Sequence, residues 1–211
     1  DDPDDYEVDT SVNYEIQVSE PRFVVPSIGM PAEAGELVSN ANVDIIFYHG
    51  RLFMAYRNAP IHFANGDVVL YIMSSVDGGY TWEYEDEVDF DADIREPRFL
   101  IMNDELQLLF FEGGDYPLRF EPQRVHRMFR SGPCSWTKPE IFIDDIEVPW
   151  DVKVRGGVAY MTSYKGNHYD LDAKIEIEVY FRKSTDGRNW SLVDEQPYVY
   201  KGGVSEVAFE F

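Results

Sequence analysis

Apolar residues along this chain come in short runs broken by polar turn pairs, with no long stripe at helical spacing. Ile45-Ile46-Phe47-Tyr48 turns at His49-Gly50 into Leu52-Phe53-Met54-Ala55-Tyr56. Phe99-Leu100-Ile101-Met102 turns at Asn103-Asp104 into a second run ending at Phe110, and Val152-Lys153-Val154 turns at Arg155-Gly156-Gly157 into Val158-Ala159-Tyr160-Met161. Runs flanking such pairs predict β-hairpins. A third strand is predicted after each hairpin, over 68–73, 124–130 and 175–181. In the last of these Ile175-Glu176-Ile177-Glu178-Val179 alternates as a strand with one wet face does.

Each predicted third strand runs into a short motif closed by tryptophan. Trp82, Trp136 and Trp190 stand 54 residues apart, twice over. A fourth strand is expected after each motif. Four antiparallel strands recurring at a period near 50 residues predict the blades of a β-propeller. The expectation is therefore an all-β propeller over residues 12–211, with about three blades and the start of a fourth, six-bladed when complete. An open ring would leave a sheet edge bare, so the chain is expected to be the N-terminal part of a longer protein. Residues 12–26 also read as extended, a candidate outer strand for closing the ring, and residues 1–11 as a flexible acidic leader.

Composition narrows the partners. The 211 residues are 44% hydrophobic and 15% aromatic, enough for a sizeable core, and carry 40 acids against 18 bases for a formal charge of −22. That balance argues against nucleic acid, which needs a basic surface, and no apolar run is long enough for membrane insertion. Cys134 is the only cysteine, so an internal disulfide and a thiolate metal site are excluded. Asp89-Phe90-Asp91-Ala92-Asp93 starts like a calcium loop, but Ile94 stands where glycine is required and Leu100 where the terminal glutamate belongs. No metal and no cofactor is expected. The run Glu83 to Asp93 reads as a solvated outer strand.

Strand parity places the candidate chemistry. In a four-stranded antiparallel blade the 1–2 and 3–4 turns share one end, and the 2–3 loops share the other with the start of strand 1. The 2–3 loops carry Arg57 and His62, then Tyr116, then His168. An acid leads each first strand: Asp44, Glu96, Asp151 and Glu206. All four are candidate catalytic carboxylates, since carboxyls gathered at one end can act as general acid and base. Arg57, His62, Arg95, Arg98, Tyr116, Trp150 and His168 are candidate substrate binders, by charge or by stacking on a sugar ring. The bland alternatives are that the acids cap exposed backbone, the arginines neutralise them and the aromatics pack between blades.

Residues 75–82 match the Asp-box, Ser-x-Asp-x-Gly-x-Thr-Trp, at Ser75, Asp77, Gly79, Thr81 and Trp82; Ser184, Asp186 and Trp190 make a box one residue short, and Ser131 to Trp136 a degenerate one. Its serine and aspartate oxygens suit a turn staple. On these motifs the chain resembles the sialidase-like Asp-box (BNR repeat) propellers over residues 12–211. The resemblance implies a carbohydrate-active enzyme. Members that cleave sialic acid use three arginines, an aspartate acid/base and a tyrosine paired with a glutamate, and Ser205-Glu206 looks like that glutamate's position. Where the first arginine belongs the chain reads Asn42-Val43-Asp44-Ile45, a departure that argues against sialic acid cleavage itself. Arg95-Glu96-Pro97 is similar to the Arg-Asp-Pro motif of five-bladed furanosidases. The expected function is hydrolysis of a glycan or glycoconjugate in the axial funnel, with Asp44 and Glu206 the leading carboxylates. The alternatives are a non-catalytic propeller binding glycan or protein there and a five-bladed furanosidase-like glycosidase. The acidic leader resembles the tether of bacterial surface lipoproteins, which implies an extracytoplasmic location.

Overall fold

Three antiparallel sheets follow one another along the chain in the computed structural model, which describes residues 11–15, 17–119, 121–166 and 174–211. The acidic leader and His168 lie outside the described residues, apart from Ser11. The first sheet runs β1 (Ser39–Tyr48), β2 (Arg51–Ala59), β3 (Val69–Ser75) and β4 (Glu83–Val88), in that order. The second runs β5 (Ile94–Met102), β6 (Glu105–Glu112) and β7 (Arg124–Gly132), and β7 pairs with both β8 (Ser135–Trp136) and β9 (Glu140–Ile143). The third repeats this with β10 (Val148–Arg155), β11 (Val158–Gly166) and β12 (Ile177–Ser184), flanked by β13 (Ser191–Leu192) and β14 (Tyr200–Gly202). Among the described residues there is no helix.

The three inner hairpins close as the sequence requires. His49 and Gly50, Asn103 and Asp104, and Gly156 and Gly157 all have φ between +47° and +77°. Positive φ at both central residues is the type I′ turn, whose twist matches that of the flanking strands. The outer strands differ from the expectation of one continuous strand per blade. In the second and third sheets the outer edge is split in two, around Pro139 and Pro197. Proline has no N–H to give a ladder, so it is tolerated only at such an edge.

Alternation decides the packing. Along β2, Phe53 and Ala55 face the second sheet while Met54 and Tyr56 face the opposite way, so the strand is buried on both sides. Phe53, Leu70 and Ile72 meet Phe99, Leu108 and Phe110 between the first and second sheets. Phe111 and Val125 meet Val148, Tyr164 and Val179 between the second and third. Each motif tryptophan turns back toward the sheet before its own: Trp136 joins the first interface, and Trp190 packs with Leu100 and Met102 of the second sheet. Trp82 has no preceding sheet, and Val24, Val25, Met30 and Ala34 cover it instead. Among the described residues of 12–26 there is no strand. Pro21, Pro26 and Pro31 remove ladder donors, and the segment lies across the first sheet through Trp82 N–H to Gly29 O at 2.8 Å and Arg22 over the Tyr80 ring at 3.7 Å.

The Ser-x-Asp turns are stapled by their own side chains. Asp77 accepts from the N–H groups of Tyr80 and Thr81 and from the Thr81 hydroxyl, and the Ser75 hydroxyl accepts from Gly79 N–H. Asp186 and Ser184 repeat the pattern on Arg188, Asn189 and Gly187. Those bonds hold both carboxyls far below the ordinary aspartate range. The acidic run from Glu83 is an outer strand, yet it is not wholly solvated. Glu85 is buried, bridging Ser74 to Arg130 of the second sheet, and Asp93 is buried as well.

Candidate active site

Strand pairing separates the two ends of the molecule. Ser75 pairs with Leu52 beside the β1–β2 turn, whereas Ala41 pairs with Arg57 at the end where the β2–β3 loop leaves. The stapled turns therefore lie with the tight hairpins, and Glu96 lies toward the opposite end of its strand. Asp44 sits about midway, opposite Ala55.

A bulge shapes that end of each inner strand. In β1 the pairing slips between Ala41 and Asp44, and in β5 between Arg95 and Arg98. Asn42 and Glu96 occupy the slips with φ of +48° and +52°, and Glu206 has φ of +63°. Bulky residues rarely adopt this conformation, and bulges beside sites serve to re-aim a side chain. The match extends to the last residues. Phe99 N–H donates to Asp44 Oδ2 at 2.6 Å, and Phe209 N–H donates to Asp151 Oδ2 at 3.0 Å. Glu96 and Glu206 each lie three residues before that phenylalanine, so they hold equivalent positions.

The expected single ring of four acids is thus two sets. Asp44, Arg98 and Asp151 are each the first paired residue after a slip; Asp44 and Arg98 reach the backbone of the following inner strand, and Asp151 that of the segment carrying Phe209. For Arg98 the contact is its Nε–H on Trp150 O. Asn42, Glu96 and Glu206 form the other set, nearer the loops. The bulge adds a residue in some strands, which blurs the acid spacing and hid the offset. Asn42 was missed for the same reason, although 42, 96 and 150 keep the tryptophan period of 54.

Glu96 is the most constrained of the carboxyls. Its side chain is 12% exposed, and it accepts from Asn42 Nδ2 on one oxygen and from Arg98 Nη2 at 2.9 Å on the other. Burial nevertheless pushes its pKa above the ordinary glutamate value; Arg98 and Arg95 pull it back and Glu206 pushes it further. Burial also raises Asp44, against the Phe99 N–H and Arg98, with Asp151 adding to the rise. Lys153 covers the lower set, 2.6 Å from Asp151 Oδ2.

The candidate substrate binders divide. Arg57 is fully enclosed, bonded to Asp93 at 2.9 Å and to the carbonyls of Ile61 and Phe63. It cannot touch a substrate; it anchors the β2–β3 loop, and its acidic partner was hidden in a run read as surface. Arg95 is held by Asp93 and by His62 O at 2.7 Å, which fixes His62 at an exposed position. Tyr116 is exposed, with Arg119 over its ring at 5.9 Å. Trp150 is half-buried against Tyr164, with Arg98 5.3 Å from its ring, so it packs between sheets. A cavity of about 670 Å³ lies toward the hairpins, with mostly apolar walls including Phe47, Phe99, Met102 and Val152. Among the described residues no group of three or more His, Cys, Asp or Glu is placed to hold a metal ion, and no helix is long and apolar enough to cross a membrane.

No protein-family model matches the chain, and no curated protein matches it. Solved structures do. A family 117 glycoside hydrolase from the marine bacterium Zobellia galactanivorans superposes with a TM-score of 0.55 at 13% identity, over 78% of this chain and 57% of that one. An exo-1,5-α-L-arabinanase from a bovine ruminal metagenomic library gives 0.51 at 13%, over 84% and 63%. An α-L-arabinofuranosidase from Fusarium graminearum, in complex with an iminosugar inhibitor, gives 0.51 at 14%, over 70% and 46%. The chain therefore spans about half to three-fifths of the length of these structures. What it shares with them is the fold, the β-propeller on which these glycoside hydrolases are built.

Proposed function

We propose that the loop-side ends of the inner strands form the active site of a carbohydrate-active enzyme that hydrolyses a glycan in the axial funnel. The observation that carries this is the half-buried Glu96, its pKa raised by burial, on a strand bulge with φ of +52°, with Glu206 at the equivalent place in the following segment with φ of +63°. Glycosidic cleavage divides its labour between two carboxyls, one of them a proton donor, a role that the raised pKa of Glu96 suits. Glu96 is assigned the general acid, protonating the leaving oxygen, and Glu206 the partner that acts as base or nucleophile. Arg98 and Asn42 orient Glu96. Asp44 and Asp151, the former being a leading carboxylate on sequence grounds, position the inner strands through their backbone contacts. Arg95, His62 and Tyr116 line the rim where a sugar would enter, with His168 a further candidate.

Furanosides are the substrates of choice to test, in keeping with the folds that superpose and with Arg95-Glu96-Pro97. Kinship with sialidase-like Asp-box propellers and a six-bladed ring remain the finer proposals, and a glycan substrate suits an extracytoplasmic protein. A non-catalytic glycan-binding propeller is the competing proposal, favoured by Asn42 and Trp150 at the positions of β1 and β10 that correspond to Glu96 of β5. Activity on 4-nitrophenyl α-L-arabinofuranoside, arabinan and a 4-nitrophenyl sialoside separates them. Release from the arabinosides is expected. Release from the sialoside alone would restore the sialidase assignment, and calorimetric binding of arabinan without release would favour the binding propeller.

A further inference from the structure

Away from the inner strands, a cleft of about 310 Å³ opens between the second and third sheets. Its walls carry three guanidinium groups: Arg127 from β7, Arg182 from β12 and Arg188 from the stapled turn after β12, with Phe142, Asn189 and Trp190 beside them. A chain with 18 bases against 40 acids has placed three of its arginines round one small space. Like charges gathered in this way repel unless something negative lies among them.

Each arginine has one carboxylate partner, and none of those partners lines the cleft. Arg127 Nε bonds Glu140 at 2.6 Å, Arg188 Nη2 holds both oxygens of Glu105 at 2.6 and 2.8 Å, and Arg182 Nη2 bonds Glu147. These bonds hold the guanidiniums in position. Arg127 also donates to Arg188 O at 2.9 Å, and both of these cations lie near the Phe129 ring, Arg188 at 4.3 Å. They leave donors over. Arg182 Nε is buried and has no hydrogen-bond partner in the structure, an expensive state for a charged group's N–H. A guanidinium presents five N–H donors in a fixed fork suited to oxyanions, so fixed forks with spare donors are a preorganised receptor.

We infer that this cleft binds an oxyanion of the sulfate or phosphate type, either free or as an ester on a saccharide. The cleft lies at the stapled-turn end, so its occupant would sit apart from a substrate at Glu96 and Glu206. The inference does not depend on the glycosidase assignment.

Its test is the Arg182 Nε–H resonance, followed by 15N NMR while sodium sulfate is added at ionic strength kept constant with sodium chloride. A saturable shift is expected. Arg188→Ala, half-exposed and therefore tolerable to the fold, should weaken the apparent affinity about tenfold, the scale of one charge-assisted pair. Arg182→Lys keeps a charge opposite Glu147 and loses the Nε–H, and it should weaken sulfate binding likewise. Parallel titrations with glucose 6-sulfate and glucose separate the sources. Tighter binding of the sulfated sugar than of sulfate assigns the site to an ester-bearing saccharide, and sulfate alone assigns it to the free ion. Glu206→Gln should leave either result unchanged. A non-saturating drift in all titrations, equal for wild type and Arg188→Ala, would overturn the inference.

Discussion

Asp44 shows how one buried carboxyl can serve the fold at some cost to its own ionisation. Its oxygen takes the Phe99 N–H of the next sheet, while burial raises its pKa above the ordinary aspartate value. A raised folded pKa favours the protonated form, so this group's contribution to stability is fully present below the unfolded value and is lost as pH rises through the folded one. Asn keeps an acceptor for the same N–H without the charge. Asp44→Asn should therefore melt higher than wild type at pH 7, with the gap closing as pH falls toward about 4. Thermal melts across that range check it, and a constant gap would contradict it. Asp77 and Asp186 behave oppositely. Their carboxyls are held below the ordinary range, so their contribution is present above it and lost as pH falls through the folded values. Arg57 marks the limit of reading residues singly: its charge and its loop suggested a ligand contact, whereas its partner Asp93 lies 36 residues on and became visible only with the fold.

At the scale of elements, the hairpins and the tryptophan period were legible because each rests on local chemistry. Turn residues that tolerate positive φ announce the inner hairpins, and a large apolar ring every 54 residues announces a face to be covered. Trp82 is 6% exposed among Met54, Tyr56, Met73 and the N-terminal segment. Trp82→Ala should destabilise by about 3–5 kcal/mol, the range for truncating a buried aromatic. Urea denaturation would read this as a lower midpoint at unchanged slope, and a loss under about 1 kcal/mol would mean that residues 22–36 do not seal that face. The bulges were not legible. An extra residue leaves both apolar flanks of the strand intact and changes only the register, so the acids looked like one ring when they are two sets. The split outer strands were missed because Pro139 and Pro197 act on ladder donors, which an apolar pattern does not record.

For the molecule as a whole, three sheets stacked face to face turn their inner strands to a common side, and the equivalent bulges bring polar groups from separate repeats toward one place. Glu96 at the start of the second sheet and Glu206 beyond the third are 110 residues apart, and the repetition brings the charge of Glu206 to bear on Glu96. The central claim is that they divide the work of cleaving a glycan, and the pH–rate profiles of two isosteric variants test it most directly. With the fold verified by circular dichroism and melting, Glu206→Gln should lower kcat by at least about 10³-fold, since amide cannot replace an ionised base or nucleophile. Glu96→Gln should remove the alkaline limb of the kcat/KM profile, with a smaller loss on substrates whose leaving group needs no proton. Wild-type turnover in Glu206→Gln, or an unchanged alkaline limb in Glu96→Gln, would contradict the assignment.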